Sequence, residues 1–210
     1  HVDGAAIRAI VKAEYQNAGI RREDVDTGAI IITGETSRKE NARAVLDALS
    51  DYAGDFVVAT AGPDLESVLA AKGAGAVELS RTAGKPVLHM DIGGGTSNLA
   101  YIEDGKIVRT GCLNVGGRLL KFDQNQKITY VSRVLSGIFY RKPGEIATQQ
   151  ELCELAETLT LALEMAAGLR HPTDLIEKLL TEETGQKWNP PDGKVVLSFS
   201  GGVADCIAQD

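Results

Sequence analysis

No stretch of the 210 residues approaches the roughly 18 consecutive apolar residues that a membrane-spanning helix requires. Nor is any run of lysine and arginine long enough to follow a phosphate backbone, and the net charge is −7. The sequence therefore predicts neither a membrane nor a nucleic acid as partner. Cysteine is scarce and unpaired in pattern: Cys112, Cys153 and Cys206 are odd in number, far apart and in no C-x-x-C spacing. They read as free thiols of a reducing cytosol, not as a disulfide framework. The string G-x-x-x-x-G-K-[ST] is absent, which excludes a P-loop, and no G-x-G-x-x-G opens a helix, which excludes a Rossmann fingerprint. The opening His1-Val2-Asp3-Gly4 has neither the basic head nor the apolar core of a secretory leader. It lacks methionine and reads as mid-helix, so an interior piece of a longer chain is expected.

What is present in excess is glycine, 23 residues gathered in short runs, on a composition otherwise ordinary for a globular protein (43% hydrophobic, 24% charged). Ile7, Ile10, Val11 and Tyr15 at helical spacing predict a helix over 2–18, closed by Gly19. The β-branched run at 29–33 predicts a buried strand, 39–49 a helix, 56–59 a second strand, and Pro63 to about residue 69 a short helix with Asp64 as its cap. This βαβα alternation indicates an α/β layer. From residue 86 the texture changes. A strand over 87–92 runs into a glycine turn, and strands over 97–103 and 106–112 are joined by Asp104-Gly105, a strong hairpin signal. A capping box of Thr148 and Glu151 opens a long helix striped by Leu152, Leu155, Leu159, Leu163 and Ala166, which stops at Gly168. Pro172 and Thr173 begin another helix through Leu180, and a last strand over 195–199 ends in Ser200-Gly201-Gly202.

The chemistry is expected at Asp91-Ile92-Gly93-Gly94-Gly95-Thr96. Glycines there allow positive φ and close approach to a ligand, and their successive amides can converge on an anion. Thr96 and Ser97 are expected to add hydroxyl donors at the rim. Asp91, at the strand end, is the candidate metal residue, acting on Mg²⁺ through its waters. Gly201 and Gly202 let a flat base or ribose lie on the backbone, or else form only a tight turn. Gly116-Gly117-Arg118 reads either as a turn or as a phosphate-side element. His89 reads as a packed or hydrogen-bonded core residue. Glu35 is a candidate for orienting a water, against a plain surface role beside a helix.

Together, Asp91-Ile92-Gly93-Gly94-Gly95-Thr96 and Ser200-Gly201-Gly202 resemble the second phosphate motif and the adenosine motif of the superfamily of actin, heat-shock chaperone ATPases and sugar kinases. The segments 31–43, 55–63, 65–67 and 112–120 resemble, more closely, the reactivating factors of ethanolamine ammonia-lyase. The resemblance implies an actin-like (ribonuclease H-like) α/β fold of two lobes with mixed sheets flanked by helices. Residues 1–84 would be part of the first lobe and 85–210 the second. It implies a chaperone-like ATPase that releases damaged cobalamin from the lyase. ATP and Mg²⁺ would be held by Asp91, Gly93, Gly94, Gly95, Thr96 and Ser97 on the phosphate side and by Gly201 and Gly202 on the adenosine side. Ethanolamine ammonia-lyase is the implied partner, a homodimer is compatible, and residence is cytoplasmic with an association to a bacterial microcompartment. The family's first phosphate motif has no counterpart in these residues, and neither does the D-x-H-x-x-G mode of cobalamin ligation. A small-molecule kinase and a non-catalytic actin-like scaffold are the alternatives that the same fold allows.

Overall fold

The structure is a computed structural model and describes residues 3–26, 28–32, 56–60, 62–181 and 188–207. The expected helix over 39–49 and Glu35 lie outside them. The chain divides into two compact units, His1–Gly62 and Pro63–Asp210.

In the first unit, helix α1 (Gly4–Ala18) does not enter in mid-helix. Asp3 caps it, its carboxylate accepting from the amides of Ala5 (3.1 Å) and Ala6 (3.0 Å), and Gly19 closes it in the left-handed region. Strands β1 (Gly28–Ile32) and β2 (Phe56–Thr60) pair in parallel, as the βαβ reading requires.

The second unit is built on a mixed sheet of β3 (Val87–Ile92), β4 (Ser97–Glu103), β5 (Lys106–Leu113) and β8 (Val196–Ser200), in the order β5-β4-β3-β8. β3, β4 and β5 form the antiparallel meander, and β8 returns parallel to β3. The Asp104-Gly105 turn has positive φ at both residues, the type I′ geometry that matches the strand twist. Central β3 and β4 are buried almost throughout, so their apolar runs are continuous and not alternating. A short second ribbon, β6 (Leu120–Phe122) with β7 (Ile128–Val131), was not signalled by the sequence.

Helices cover both faces. On one, α2 (Pro63–Gly73) and α3 (Ala76–Ala83) set Ala71 and Ala76 against Val87, Ala100 and Ile102. These two helices pack on the second unit's sheet, so the division into compact units falls at 62/63. On the other face α4 (Gln149–Ala166) and α5 (Asp174–Leu179) cover Leu88, Met90, Leu99 and Tyr101. The capping box at Thr148 and Glu151 is present. Leu155 and Ala166 of the expected stripe are buried, and Ala162 and Met165 sit as deep. Each large aliphatic side chain so buried contributes about 1.5–3 kcal/mol of transfer free energy. Asp64 is not a cap. It lies inside the first turn of α2 and accepts a 2.6 Å hydrogen bond from Thr110, which ties the helix to β5. The last helix, α6 (Ala204–Ile207), follows β8 directly.

Candidate functional site

Asp91 stands near the end of β3 with a register partner on each side, Asn98 on β4 and Ser200 on β8. Because side chains alternate along strands, His89, Asp91, Asn98, Ser198 and Ser200 share the face covered by α2. Four of them form one hydrogen-bonded chain. The Ser200 hydroxyl donates to Asp91 Oδ1 (2.6 Å), His89 Nε2 meets Ser200 Oγ (3.0 Å), and His89 Nδ1 meets Ser198 Oγ (3.1 Å). The direction follows from the hydrogen count. A carboxylate has no hydrogen to give, so the single hydroxyl hydrogen of Ser200 goes to Asp91, and Ser200 must accept from His89 Nε2–H. Nδ1 of the neutral ring then accepts from Ser198. Burial holds the His89 pKa below its ordinary value, with the Asp91 charge opposing more weakly, and this favours the neutral ring. His89 is fully buried and hydrogen-bonded, as its place in the strand predicted.

The glycine turn begins one residue later. Gly93 N–H donates to the Thr96 carbonyl (2.9 Å), while the carbonyls of Gly93 and Gly94 accept from the amides of Gly117 (3.0 Å) and Arg118 (2.6 Å). With the carbonyls turned to that segment, the amides of Gly94, Gly95 and Thr96 have no partner among the described residues. None of Gly93, Gly94 or Gly95 has positive φ, contrary to expectation. What the triplet supplies is space. A Cβ at Gly95 would meet nothing within 4 Å, and one at Gly94 would reach 3.0 Å from Arg118 Nε. The Arg118 guanidinium therefore lies along the turn, exposed and in no ion pair among the described residues. Gly116 is needed for close approach, since its Cβ would sit 2.6 Å from the Gly94 carbonyl. The Gly116-Gly117-Arg118 element, read from sequence as turn or phosphate-side, is in fact the backing of the glycine turn.

Two expected site residues differ in placement. Thr96 is half-buried with a hydroxyl that has no partner among the described residues, a rim position as read. Ser97 is not at the rim: it is fully buried and its hydroxyl donates to the Val115 carbonyl (2.7 Å), because the first residue of β4 already points into the core. Gly201 takes φ +88°, and a Cβ there would stand 2.4 Å from the Ile92 carbonyl oxygen, which also accepts from Val203 N–H (3.3 Å). The two glycine motifs thus meet at Ile92, with Gly202 exposed beside them.

Sequence reasoning missed Asn98 and Glu66. Asn98, only 5% exposed, donates through Nδ2 to Glu66 Oε2 (3.0 Å) on α2, and its Oδ1 has no partner among the described residues. Ser67, bonded to the carbonyls of Pro63 (2.9 Å) and Gly111 (3.2 Å), pins that turn of α2 on the sheet. The signal that would have found the pair is the β3–β4 register, which sets Asn98 opposite Asp91. Among the described residues no three of His, Cys, Asp and Glu converge as a metal cage. The Asp91 carboxylate is a hard oxygen acceptor, and it suits a Mg²⁺ ion that keeps its waters. The three amides beside it, without a partner among the described residues, suit a phosphate.

The family model for ethanolamine utilisation protein EutA matches residues 1–210. The ethanolamine ammonia-lyase reactivase EutA of Salmonella typhimurium is 42% identical, over 95% of this chain and 43% of its own. The protein of the same description from Escherichia coli is 40% identical, over 96% of this chain and 44% of its own. The chain thus spans less than half the length of these relatives. Among solved structures, MreB5 of Spiroplasma citri bound to AMPPNP superposes with a TM-score of 0.45 at 19% identity, covering 97% of this chain and 65% of that one. On the family model and the two relatives, the chain belongs to the ethanolamine utilisation protein EutA family.

Proposed function

We propose that the protein acts as a chaperone-like ATPase that reactivates ethanolamine ammonia-lyase by releasing damaged cobalamin. The observation that carries the nucleotide reading is the run of three amides at Gly94, Gly95 and Thr96 that have no partner among the described residues, beside the Asp91 carboxylate. Gly94, Gly95 and Thr96 would hold phosphate oxygens through their N–H groups, and Arg118 would add a cation along the same turn. Asp91 would bind water molecules of Mg²⁺, the ion supplying charge neutralisation on the phosphates when bound. Gly201 and Gly202 would leave the backbone open to the adenosine. The names of the two relatives support the lyase as partner. A cytoplasmic site of action, with microcompartment association and homodimer formation, belongs to the same proposal.

Nucleotide does work on a partner only by binding the protein's two conformations unequally. The test is therefore made on the full-length protein, with and without lyase carrying damaged cobalamin. ATP turnover is expected, and restored lyase activity is expected to depend on it. Asp91→Ala should abolish Mg-ATP binding in calorimetry. Unchanged binding would remove Asp91 from the site, and turnover that requires a small alcohol or sugar would make the protein a kinase instead.

A further inference from the structure

We propose that Glu66 and Asn98 hold the water that attacks the terminal phosphate, with Glu66 as its proton acceptor. The inference rests on the nucleotide reading above and goes beyond it by naming the residues that act on the water.

One buried acceptor at the site, Asn98 Oδ1, lacks a donor among the described residues. Asn98 is 5% exposed, and its amide orientation is fixed, because a carboxylate only accepts and Nδ2 must therefore face Glu66 Oε2 at 3.0 Å. Its Oδ1 is consequently turned away from that bond, buried, and without a partner among the described residues. Buried carbonyl oxygens are rarely left so unless a water or ligand supplies the hydrogen. Asn98 is the register partner of Asp91, and directly opposed residues have Cβ atoms about 4.5–5.5 Å apart. The orphan oxygen therefore belongs to the same site as the candidate metal carboxylate.

A water seated there has two hydrogens and two acceptors to receive them, Asn98 Oδ1 and the Glu66 carboxylate. Both hydrogens being held, its lone pair is left to face the bound phosphate. In the step, that lone pair forms the new oxygen–phosphorus bond as the bond from phosphorus to the bridging oxygen breaks. The electron pair of the broken bond stays on the departing diphosphate. Glu66 takes the proton of the water and returns it to the phosphate product. Positioned acid–base groups of this kind contribute about 10²–10⁴-fold in rate.

A merely structural Glu66 would anchor α2 to β4 through Asn98 without acting on the water. Glu66→Gln separates the two roles, since an amide oxygen still accepts from Asn98 Nδ2 but cannot take the proton. In the full-length protein this variant should bind Mg-ATP about as the wild type does, measured by calorimetry, while single-turnover hydrolysis falls about 100-fold or more. Asn98→Leu, which removes the orphan acceptor, should lower hydrolysis in the same direction. A crystal structure of the Glu66→Gln protein with Mg-ATP should show one water within hydrogen-bond reach of Asn98 Oδ1. Wild-type hydrolysis by Glu66→Gln, binding lost in step with hydrolysis, or no water at Asn98 would each overturn the proposal. A wild-type protein that binds Mg-ATP without hydrolysing it would overturn this step alone. One that binds no Mg-ATP would overturn the nucleotide reading and this step with it.

Discussion

At the scale of single residues, the site separates glycines that the fold requires from glycines that only a ligand would notice. Gly201 combines left-handed backbone with a Cβ position 2.4 Å from the Ile92 carbonyl oxygen. Gly201→Ala should cost about 3 kcal/mol of stability, the sum of backbone strain and a displaced strand end. Gly95 has neither feature: its φ is ordinary and a Cβ would meet nothing within 4 Å. Gly95→Ala should leave the urea midpoint of the protein near wild type and weaken nucleotide binding, because the added methyl would stand where phosphate approaches. An unaltered affinity would move the phosphates to another face of the turn. The sequence made both glycines look alike, for composition alone carries neither φ nor neighbours. It did place Asp91 near a strand end beside the glycine turn. It could not place Asn98, Glu66 or Arg118, whose partners lie on elements 20 or more positions away and are set by strand register and helix docking.

At the scale of elements, what was legible had a strong local cause. The Asp104-Gly105 hairpin needs positive φ at two positions, and the long helix α4 announces itself by its capping box. The elements that escaped have weak local signals. Helix α3 has no side-chain cap, only Gly75 in the left-handed region, and β6 is three residues with two exposed. The cap of α4 also carries a pH dependence. Backbone N–H of Thr148 first, then the Arg141 guanidinium, hold the Glu151 carboxyl below its ordinary pKa. A carboxyl depressed in the folded state stabilises above its unfolded pKa, and that contribution is lost as pH falls through the lower folded value. Denaturant midpoints between pH 7 and 3 should therefore show an acid limb that is shallower in Glu151→Gln. Thr148→Ala should cost about 1 kcal/mol at neutral pH, the usual worth of a helix N-cap. An identical acid limb in both proteins would show that the box does not persist in solution.

At the scale of the whole molecule, the chain spans less than half of its relatives, and in the second unit the turn at 93–95 and the Gly201-Gly202 turn meet at Ile92. On the proposed nucleotide reading, the first phosphate motif of such ATPases would lie outside these residues, and the nucleotide would be gripped from two sides. The 210 residues alone should therefore bind Mg-ATP much more weakly than the full-length protein, by about tenfold or more if a single charge-assisted contact is worth about 1.5–3 kcal/mol. Calorimetry on both would decide the matter, and equal affinities would mean that the grip is complete within these residues. The composition bears on the same scale: the three cysteines, Cys112 buried and Cys153 and Cys206 exposed, form no disulfide among the described residues, and cohesion is left to the cores on the two faces of the sheet.

The hydrogen-bonded file from Ser198 through His89 and Ser200 to Asp91 has an arrow, since each hydrogen in it has one place to go. An asparagine at position 91 removes the cause of that direction, because its side chain offers donors as well as an acceptor. With its carbonyl oxygen toward Ser200 the file keeps its arrow and the amide group faces the incoming ligand; with its amide toward Ser200 the file reverses through the other tautomer of His89. The substitution usually chosen as the gentlest probe of an aspartate would here test two arrangements at once, so Asp91→Ala is the simpler question to put to this site.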